Sequence, residues 1–304
     1  MILEIKNLSV LVNERFLVKN VSLSMSEEDC MGIIGEDHSG KTSLIKTITG
    51  SLPISDGEVY LFGKDISKNQ KDVGSVGLCL DPPVFFKYQT IMQNFLYLCS
   101  LSGKVDKQKI LFALNKFNLA HKAHRRVFFL SYYEKKLMAL ALAYVNRPKL
   151  MILDEPFKGL PQSSIQNMKD YIFELQENGT HVIIASRYYS TIENICNKFV
   201  FMEGRTVKSI LNHEQCEKFS NENTFAFIAV KYPHYCGKLI KQKFDIDVKI
   251  LGKKILFEAD EDLTADIVKF FTKNRISVHK AGYLNKKSER IFANLTPYFK
   301  EETN

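Results

Sequence analysis

The sequence predicts an α/β fold in which a mostly parallel sheet is covered by helices on both faces. Residues 30–34 have the pattern of a short buried strand, and a glycine-containing loop and a helix follow it directly. The same alternation returns later, with an apolar strand at 150–154, a helix at about 163–177 and another apolar strand at 182–185. Strands that alternate with helices form parallel sheets, because each helix carries the chain back to the same edge.

Two further elements are expected beside this core. Residues 2–10 and 16–25 alternate between apolar and polar residues, and 57–62 follows a turn as a third strand, so they predict a small antiparallel sheet. Residues from about 82 to 146 have apolar side chains at helical spacing and predict a mainly helical insert.

The loop after residues 30–34 carries a phosphate-binding motif. The residues from Gly35 to Thr42 are Gly-Glu-Asp-His-Ser-Gly-Lys-Thr, which fits G-x-x-x-x-G-K-[ST]. Glycines let backbone N–H groups converge on phosphate oxygens, and the following helix directs its positive end at them. We expect Lys41 to contact the β- and γ-phosphates and the Thr42 hydroxyl to bind Mg²⁺. The expected nucleotide-binding residues are Gly35, Glu36, Asp37, His38, Ser39, Gly40, Lys41, Thr42 and Ser43.

Two adjacent carboxylates follow the apolar strand at 150–154. Asp154 ends that strand, where a carboxylate holds Mg²⁺ directly or through water. Glu155 comes next and is placed to act as the catalytic base on the attacking water. Each motif alone has a plainer explanation. For the loop it is a chance match in a turn rich in glycine and serine, and for the two acids it is an ordinary strand that ends in a loop. Together, and in this order, they predict a P-loop NTPase core that binds ATP and Mg²⁺.

With these motifs, the chain resembles the ATP-binding subunits of ABC transporters. The resemblance covers the whole chain, and its most specific motifs lie between residues 1 and 210. It implies a head-to-tail dimer in which each ATP lies between the phosphate loop of one chain and the signature segment of a second ABC chain. That second chain is either another copy or a different protein. The resemblance also implies that the helical insert docks on a separate integral membrane subunit.

The signature segment departs from the Leu-Ser-Gly-Gly-Gln pattern of that family. Residues 130–134 are Leu-Ser-Tyr-Tyr-Glu. The family's glycines allow the backbone to touch the partner's γ-phosphate, and Tyr132 and Tyr133 hinder this approach. A purely structural interpretation is also open, since Ser131 and Glu134 have the spacing of a capping box for the next helix.

Four other positions differ from the family's pattern. Asp81 stands where the family has a glutamine, and we expect it to be a Mg²⁺ ligand. Arg187 replaces the switch histidine, and we expect it to act in catalysis as a phosphate clamp. Pro161 replaces the aspartate of the loop after the Mg²⁺ strand. Val12 takes the place of the residue that stacks on adenine, and Phe16 either substitutes for it or belongs to the core.

The altered positions change what we expect of the ATP site. The groups that bind nucleotide are kept, apart from His38 at a position usually held by glycine, and histidine tolerates a positive φ better than most residues. The groups that sense the γ-phosphate or complete the dimer site are altered. We therefore expect an ABC-type ATPase that binds MgATP and hydrolyses it slowly. The alternative is a non-hydrolysing, nucleotide-sensing subunit that regulates a transporter.

Four aromatic residues of the insert lie near the surface expected to dock on the membrane subunit. They are Phe85, Phe86, Tyr88 and Phe95. A plain hydrophobic core explains them equally well.

Composition limits the other classes of function. The chain has 304 residues and a net charge of +8, and its six cysteines include no C-x-x-C pair, which fits reduced thiols. No apolar run approaches the roughly 18 residues of a membrane helix, so we expect peripheral attachment to the cytoplasmic face of the membrane through another subunit. Lysines are spread along the chain, so we expect no nucleic-acid partner. A soluble ABC-type ATPase acting on nucleic acid is the remaining alternative.

The chain is expected to divide into two domains. Residues 1–218 form the ABC-type ATP-binding domain, and residues 219–304 form a small α+β accessory domain without a catalytic constellation. The end of the chain resembles the tail of exporter-type ABC subunits that serve drugs, antibiotic peptides and bacteriocin immunity, which implies export.

Overall fold

A computed structural model of the chain describes residues 1–67, 76–101, 103, 105–221, 225–258 and 261–296. The chain divides into two units, Met1–Ile210 and Leu211–Asn304. This division lies eight residues before the expected boundary between residues 218 and 219, and the helix His213–Asn221 packs against the helix Lys287–Leu295 of the second unit. The first of these helices therefore belongs to the accessory unit.

Ten strands and six α-helices begin within the described residues of the first unit. The strands are β1 (Leu3–Val12), β2 (Arg15–Met25), β3 (Met31–Ile34), β4 (Asp56–Leu61), β5 (Lys64–Asp65), β6 (Val76–Cys79), β7 (Leu150–Asp154), β8 (His181–Ser186), β9 (Lys198–Glu203) and β10 (Thr206–Asn212). The helices are α1 (Lys41–Ile48), α2 (Ile91–Leu101), α3 (Lys107–Lys116), α4 (Tyr132–Tyr144), α5 (Gln162–Glu177) and α6 (Tyr189–Ile192).

The larger sheet has the strand order β10-β9-β3-β8-β7-β6. β3 pairs in parallel with β8 and β9, and β7 pairs in parallel with β6 and β8. Every residue of β3 and β7 is buried, as expected for strands covered on both faces. Helices α1, α4, α5 and α6 pack against its strands. The predicted α/β fold with a mostly parallel sheet is confirmed.

The smaller sheet is antiparallel and has the order β2-β1-β4-β5. It shares one core with the larger sheet, which includes the fully buried Leu3, Val18, Ile33, Leu150 and Ile183. This shared core holds β3 and β7 in place, and the ends of these two strands carry the predicted phosphate loop and carboxylates.

The insert between β6 and β7 contains α2, α3 and α4, as predicted. Phe95 of α2 is fully buried, so the core interpretation is correct for this residue. Phe86 and Tyr88, in contrast, lie on the surface with exposed fractions of 46% and 68%. In the parts of the chain that the structure describes, no helix combines the length and the apolar content of a membrane span.

The second unit is an α+β domain with its own antiparallel sheet. It contains α7 (His213–Asn221), β11 (Phe225–Val230), α8 (Pro233–Phe244), β12 (Lys249–Leu251), β13 (Lys254–Glu258), α9 (Glu261–Lys273), β14 (Val278–Tyr283) and α10 (Lys287–Leu295). The strand order is β12-β13-β11-β14. Two separate hydrophobic clusters pack on its strands, one around Ile228 and Phe257 and the other around Phe227 and Leu256.

Candidate functional site

The phosphate loop joins β3 to α1, and its backbone requires glycine at two positions. Gly40 has a φ of 104°, and an added Cβ would lie 2.9 Å from the Leu17 carbonyl oxygen. A Cβ on Gly35 would lie 2.4 Å from Ser39 Oγ. His38 has a φ of 65°, a region that histidine enters more readily than most residues. The two glycines therefore let the loop fold tightly in front of α1, as a phosphate cradle requires.

Lys41 begins α1 and is buried beneath the loop. Its Nζ donates to the carbonyl oxygens of Gly35 at 2.6 Å and Glu36 at 3.0 Å. Burial lowers the pKa of Lys41, while the carboxylates of Glu155 and Asp154 oppose this effect. Phosphate oxygens make stronger, charge-assisted hydrogen bonds than carbonyl oxygens. The Lys41 ammonium is thus placed where a phosphate would replace the loop carbonyls as its acceptor.

Thr42 and Asp154 join α1 to the end of β7. Thr42 Oγ1 donates to Asp154 Oδ2 at 2.7 Å. Asp154 Oδ1 and Ser39 Oγ are buried, and neither has a hydrogen-bond partner among the described residues. Burial raises the pKa of Asp154, while the Thr42 hydroxyl and the Lys41 ammonium lower it. Hydroxyl and carboxylate oxygens are the ligands that Mg²⁺ prefers, so Thr42 and Asp154 fit this ion together with phosphate oxygens and water.

Glu155 follows Asp154 in a left-handed backbone conformation. Its φ is 48°, and its N–H donates to the Ala185 carbonyl oxygen at 2.9 Å. Burial raises the pKa of the Glu155 carboxyl to about 6; Lys41 lowers this pKa and Asp154 raises it. A carboxyl whose pKa approaches the working pH suits a general base.

These groups line one cavity of about 250 Å³. Its lining residues are Leu17, Asp37, His38, Ser39, Gly40, Lys41, Thr42, Ser43, Asp81, Asp154, Glu155, Lys158 and Arg205. Most residues predicted from the two motifs are therefore brought together. Sequence reasoning missed Leu17, Lys158 and Arg205, because no motif marks them. A larger cavity of about 630 Å³ beside α4 and α5 contains none of the phosphate-loop or β7 groups.

Arg187 follows β8 and pairs with two acids of the phosphate loop. Its Nη2 lies 2.8 Å from Glu36 Oε2, and its Nη1 lies 3.0 Å from Asp37 Oδ2. The hydrogen bond to Glu36 raises the pKa of Arg187. The guanidinium thus offsets two carboxylates that would otherwise repel a triphosphate. The phosphate-clamp role of Arg187 stays a prediction, and the pairing with the loop was not foreseen.

Asp81 is held by two lysines and a tyrosine. Its Oδ1 lies 2.9 Å from Lys136 Nζ and accepts a hydrogen bond from the Tyr132 hydroxyl at 2.6 Å. Its Oδ2 lies 3.2 Å from Lys158 Nζ. The carboxylate is therefore already neutralised by protein groups, although it lines the cavity. The predicted Mg²⁺ role of Asp81 stays a prediction, and its described contacts indicate a structural task.

We expect Asp81→Asn to destabilise the chain by about 3 kcal/mol at neutral pH, because the buried Lys136 loses its nearest charged partner. Burial raises the pKa of Asp81, but hydrogen bonds from Tyr132 and the lysines outweigh burial and lower it overall. A carboxylate with a lowered pKa stabilises the fold above its unfolded pKa of 3.8 and loses that effect as the pH falls through its folded value. The destabilisation, measured by urea denaturation, should therefore shrink below pH 3.8.

The matched control for this variant is Glu4→Gln. Glu4 Oε1 lies 3.3 Å from Lys6 Nζ in an exposed ion pair of the same unit. Its loss should cost less than about 1 kcal/mol, the usual range for surface pairs. Equal losses in the two variants would contradict a special role for the Asp81 contacts.

The signature segment forms the capping box that its spacing predicted. Ser131 Oγ accepts from the Glu134 N–H at 3.2 Å, and Glu134 Oε2 accepts from the Ser131 N–H at 2.6 Å. Glu134 also pairs with Lys122. The Tyr132 ring lies against Gly159, where an added Cβ would come 3.1 Å from the ring. The start of α4 therefore presents two aromatic side chains, Tyr132 and Tyr133, where the family has glycines, and a carboxylate, Glu134, where it has glutamine.

The predicted adenine contact is the least defined part of the site. Val12 is partly buried and packs against the core shared by the two sheets of the first unit. Phe16 is 40% exposed, so its interpretation as a core residue is wrong. Lys19 Nζ lies 5.6 Å from the centroid of the Phe16 ring. The role of Val12 beside adenine stays a prediction.

The fold and this cavity define a nucleotide-binding P-loop domain, and comparison with known proteins places it in a family. Residues 18–158 match the family model described as ABC transporter. The chain is 32% identical over 215 residues to the bacitracin transport ATP-binding protein BcrA of Enterococcus faecalis, with 69% of each chain covered. The chain belongs to the ABC transporter ATP-binding proteins, and it is the ATP-binding subunit of such a transporter.

Two further proteins are similar to this chain. One is similar over almost its whole length, and the other has a solved structure. The uncharacterized ABC transporter ATP-binding protein YhcH of Bacillus subtilis is 26% identical over 303 residues, which are 99% of this chain and 98% of the relative. The crystal structure of the ADP conformation of MJ1267, an ATP-binding cassette of an ABC transporter, superposes with a TM-score of 0.63 and 25% identity. The superposition covers 70% of this chain and 92% of the MJ1267 chain.

Proposed function

We propose that this chain drives a membrane exporter: it binds MgATP at its phosphate loop, closes a dimer with a second ABC chain and passes this movement to a separate membrane subunit. The relative named for bacitracin transport supports a peptide antibiotic or a similar compound as the cargo. The resemblance of the C-terminal region to exporter-type subunits supports the outward direction. Attachment to the cytoplasmic face of the membrane, through the membrane subunit, is part of the same proposal.

The convergence of Lys41, Thr42, Asp154 and Glu155 on one cavity carries this proposal. Mg²⁺, when bound, supplies positive charge that polarises the phosphate oxygens. Lys41 binds the phosphates and orients them, while Thr42 and Asp154 hold the metal ion. Glu155 accepts a proton from the attacking water at its carboxylate, which is mainly ionised above pH 6.

Two features of the site support slow turnover. The Ser131 and Glu134 N–H groups at the start of α4 already donate within the capping box, so they are not available to a partner's γ-phosphate. Arg187 is engaged with Glu36 and Asp37, and its guanidinium cannot accept a hydrogen bond as a neutral histidine does. In a homodimer, each ATP site is formed by the phosphate loop of one copy and the signature segment of the other, so each site would carry both alterations.

An exposed aromatic surface supports docking on a membrane subunit. Phe86, Tyr88, Phe128 and Phe129 have exposed fractions of 46%, 68%, 56% and 59%. The rings of Tyr88 and Phe128 stack at a centroid distance of 6.2 Å, so the surface joins the segment before α2 to the segment before α4. Exposed apolar clusters of this kind mark interaction sites.

Steady-state ATP hydrolysis by the purified chain tests the proposal, with Lys41→Ala and Glu155→Gln beside it. We expect the unaltered chain to hydrolyse ATP slowly, and we expect each of the two substitutions to abolish this turnover. Turnover no higher than that of Lys41→Ala would contradict slow hydrolysis and leave the non-hydrolysing regulatory subunit as the alternative. Turnover of about 1 s⁻¹ or faster would contradict the expectation that the altered signature slows the reaction.

Restoring the family's signature is expected to raise turnover about tenfold or more, because backbone donors then reach the partner's phosphate. The variant is Tyr132→Gly/Tyr133→Gly/Glu134→Gln, assayed at a chain concentration that allows dimers. Adding Lys41→Ala to it should abolish the gain, which shows that the gain arises at the phosphate loop. Unchanged turnover in the restored chain would contradict the assigned role of residues 132–134.

A further inference from the structure

One buried lysine of α4 contacts the candidate base. Lys136 is 3% exposed, and its Nζ donates to the backbone carbonyl oxygen of Glu155. The same Nζ lies 2.9 Å from Asp81 Oδ1 and 5.4 Å from the centroid of the Tyr132 ring. A buried ammonium is costly unless it is paired and hydrogen-bonded. These contacts meet that need and also tie the signature helix to the end of β7.

The Glu155 peptide needs external support. Its φ of 48° lies in the left-handed region, which is strained for a residue with a Cβ. Such conformations persist where the surrounding structure determines them. The Glu155 N–H is held by the Ala185 carbonyl oxygen at 2.9 Å, while its own carbonyl oxygen accepts from the Lys136 ammonium and, at 3.2 Å, from the Lys158 N–H. Of these groups, the Lys136 ammonium is the charged donor, and it comes from a different element, α4. The next residue, Pro156, has no N–H with which to anchor the chain.

We infer that Lys136 is a positioning residue for ATP hydrolysis: by holding the Glu155 carbonyl oxygen, it maintains the left-handed peptide that places the Glu155 carboxylate in the nucleotide cavity. This inference rests on the proposed function, since it concerns the same reaction. The same contact joins α4, which begins within the signature segment, to the residue that carries the candidate base.

A plainer explanation is that Lys136 only neutralises Asp81. Asp81 has a second cation, because Lys158 Nζ lies 3.2 Å from its other oxygen. Moreover, neutralising Asp81 does not require Lys136 to donate to the backbone of Glu155, which follows β7. The contact with Glu155 is therefore the one that distinguishes the two explanations.

The test compares two changes at Lys136 with one control. Lys136→Met keeps the length of the side chain and removes its donor, while Lys136→Arg keeps the charge and the N–H donors. Lys116→Met is the control, since Lys116 is also largely covered and pairs with Glu174 at 2.6 Å, outside the nucleotide cavity. Hydrolysis, affinity for a fluorescent ATP analogue, and the crystal structure of the Lys136→Met chain are measured.

We expect Lys136→Met to lower kcat about ten- to a hundredfold, because a small displacement of a catalytic group has effects of this size. Affinity for the analogue should change less than about threefold, because Lys41 and Thr42 are untouched. Lys136→Arg should recover a large part of the lost kcat, and Lys116→Met should stay within about twofold of the wild type. In the crystal structure of Lys136→Met, the φ of Glu155 should leave the left-handed region.

Three results would overturn the inference. They are a kcat within about twofold of the wild type in Lys136→Met, parallel losses of kcat and affinity, or a variant structure in which Glu155 keeps its φ and its carboxylate position. If the wild-type chain binds the analogue without hydrolysing ATP, the proposed turnover fails. The variant crystal structure alone then decides whether Lys136 holds the Glu155 peptide.

Discussion

Replacing Lys41 by alanine is expected to weaken ATP binding about a hundred- to a thousandfold, because charge-assisted hydrogen bonds to phosphate are lost. The Lys41 ammonium lies within 3.0 Å of two loop carbonyl oxygens, so it is already placed at the centre of the cradle. Removing it also leaves the nearby Asp154 and Glu155 carboxylates without their closest cation on α1. A triphosphate would then meet uncompensated negative charge. Competition between ATP and a fluorescent analogue measures the loss.

Lys46→Ala is the matched control for this change. Lys46 lies in the last turn of the same helix and does not line the nucleotide cavity. Its removal should change the dissociation constant less than about twofold. Similar losses in both variants would mean that general charge, and not the position of Lys41, attracts the nucleotide.

Glu155→Gln is expected to lower turnover about a hundred- to a thousandfold while ATP affinity stays the same or increases, because the amide cannot accept the proton of the attacking water. The wild-type rate should rise as the pH increases through 6, where the Glu155 carboxyl ionises. The glutamine variant should lack this rise. Single-turnover hydrolysis across this pH range measures both effects.

The same substitution is expected to stabilise the fold at neutral pH. Burial raises the pKa of Glu155 from 4.5 to about 6, so ionisation above pH 6 disfavours the folded state. The gain should be about 1 kcal/mol once partial exposure is taken into account, and it should vanish below pH 4.5, where both states are protonated. Urea denaturation at both pH values measures the gain.

Glu203→Gln is the control for both parts of this prediction. Burial also raises the pKa of Glu203, which ends β9 outside the nucleotide cavity. Its replacement should therefore stabilise the fold without lowering turnover. A loss of turnover in the Glu203 variant, or full turnover in the Glu155 variant, would contradict the assignment of the base.

The elements predicted best from the sequence are those encoded by neighbouring residues. The phosphate loop, the buried strand before it and the pair Asp154–Glu155 depend on local spacing, and the structure places them together because β3 and β7 belong to one parallel sheet. The capping box of α4 is also local, since its two residues are three positions apart. Patterns of this kind depend on residues that are close together in the sequence.

The contacts that sequence reasoning missed join distant parts of the chain. Arg187 pairs with Glu36 across 151 positions, and no spacing rule marks such a pair. Lys136 resembles any other lysine at the start of a helix until its burial against Glu155 is known. The division between Ile210 and Leu211 likewise involves a distant contact, because α7 packs against α10.

The most direct test of the whole account is the crystal structure of the Glu155→Gln chain grown with MgATP. We expect the triphosphate in the cradle between Gly35 and Gly40, with the Lys41 ammonium moved from the loop carbonyl oxygens to the phosphates. We also expect the metal ion beside Thr42 and Asp154. A cradle without nucleotide at millimolar MgATP, with Lys41 still bonded to Gly35 and Glu36, would contradict the assignment of this cavity as the ATP site.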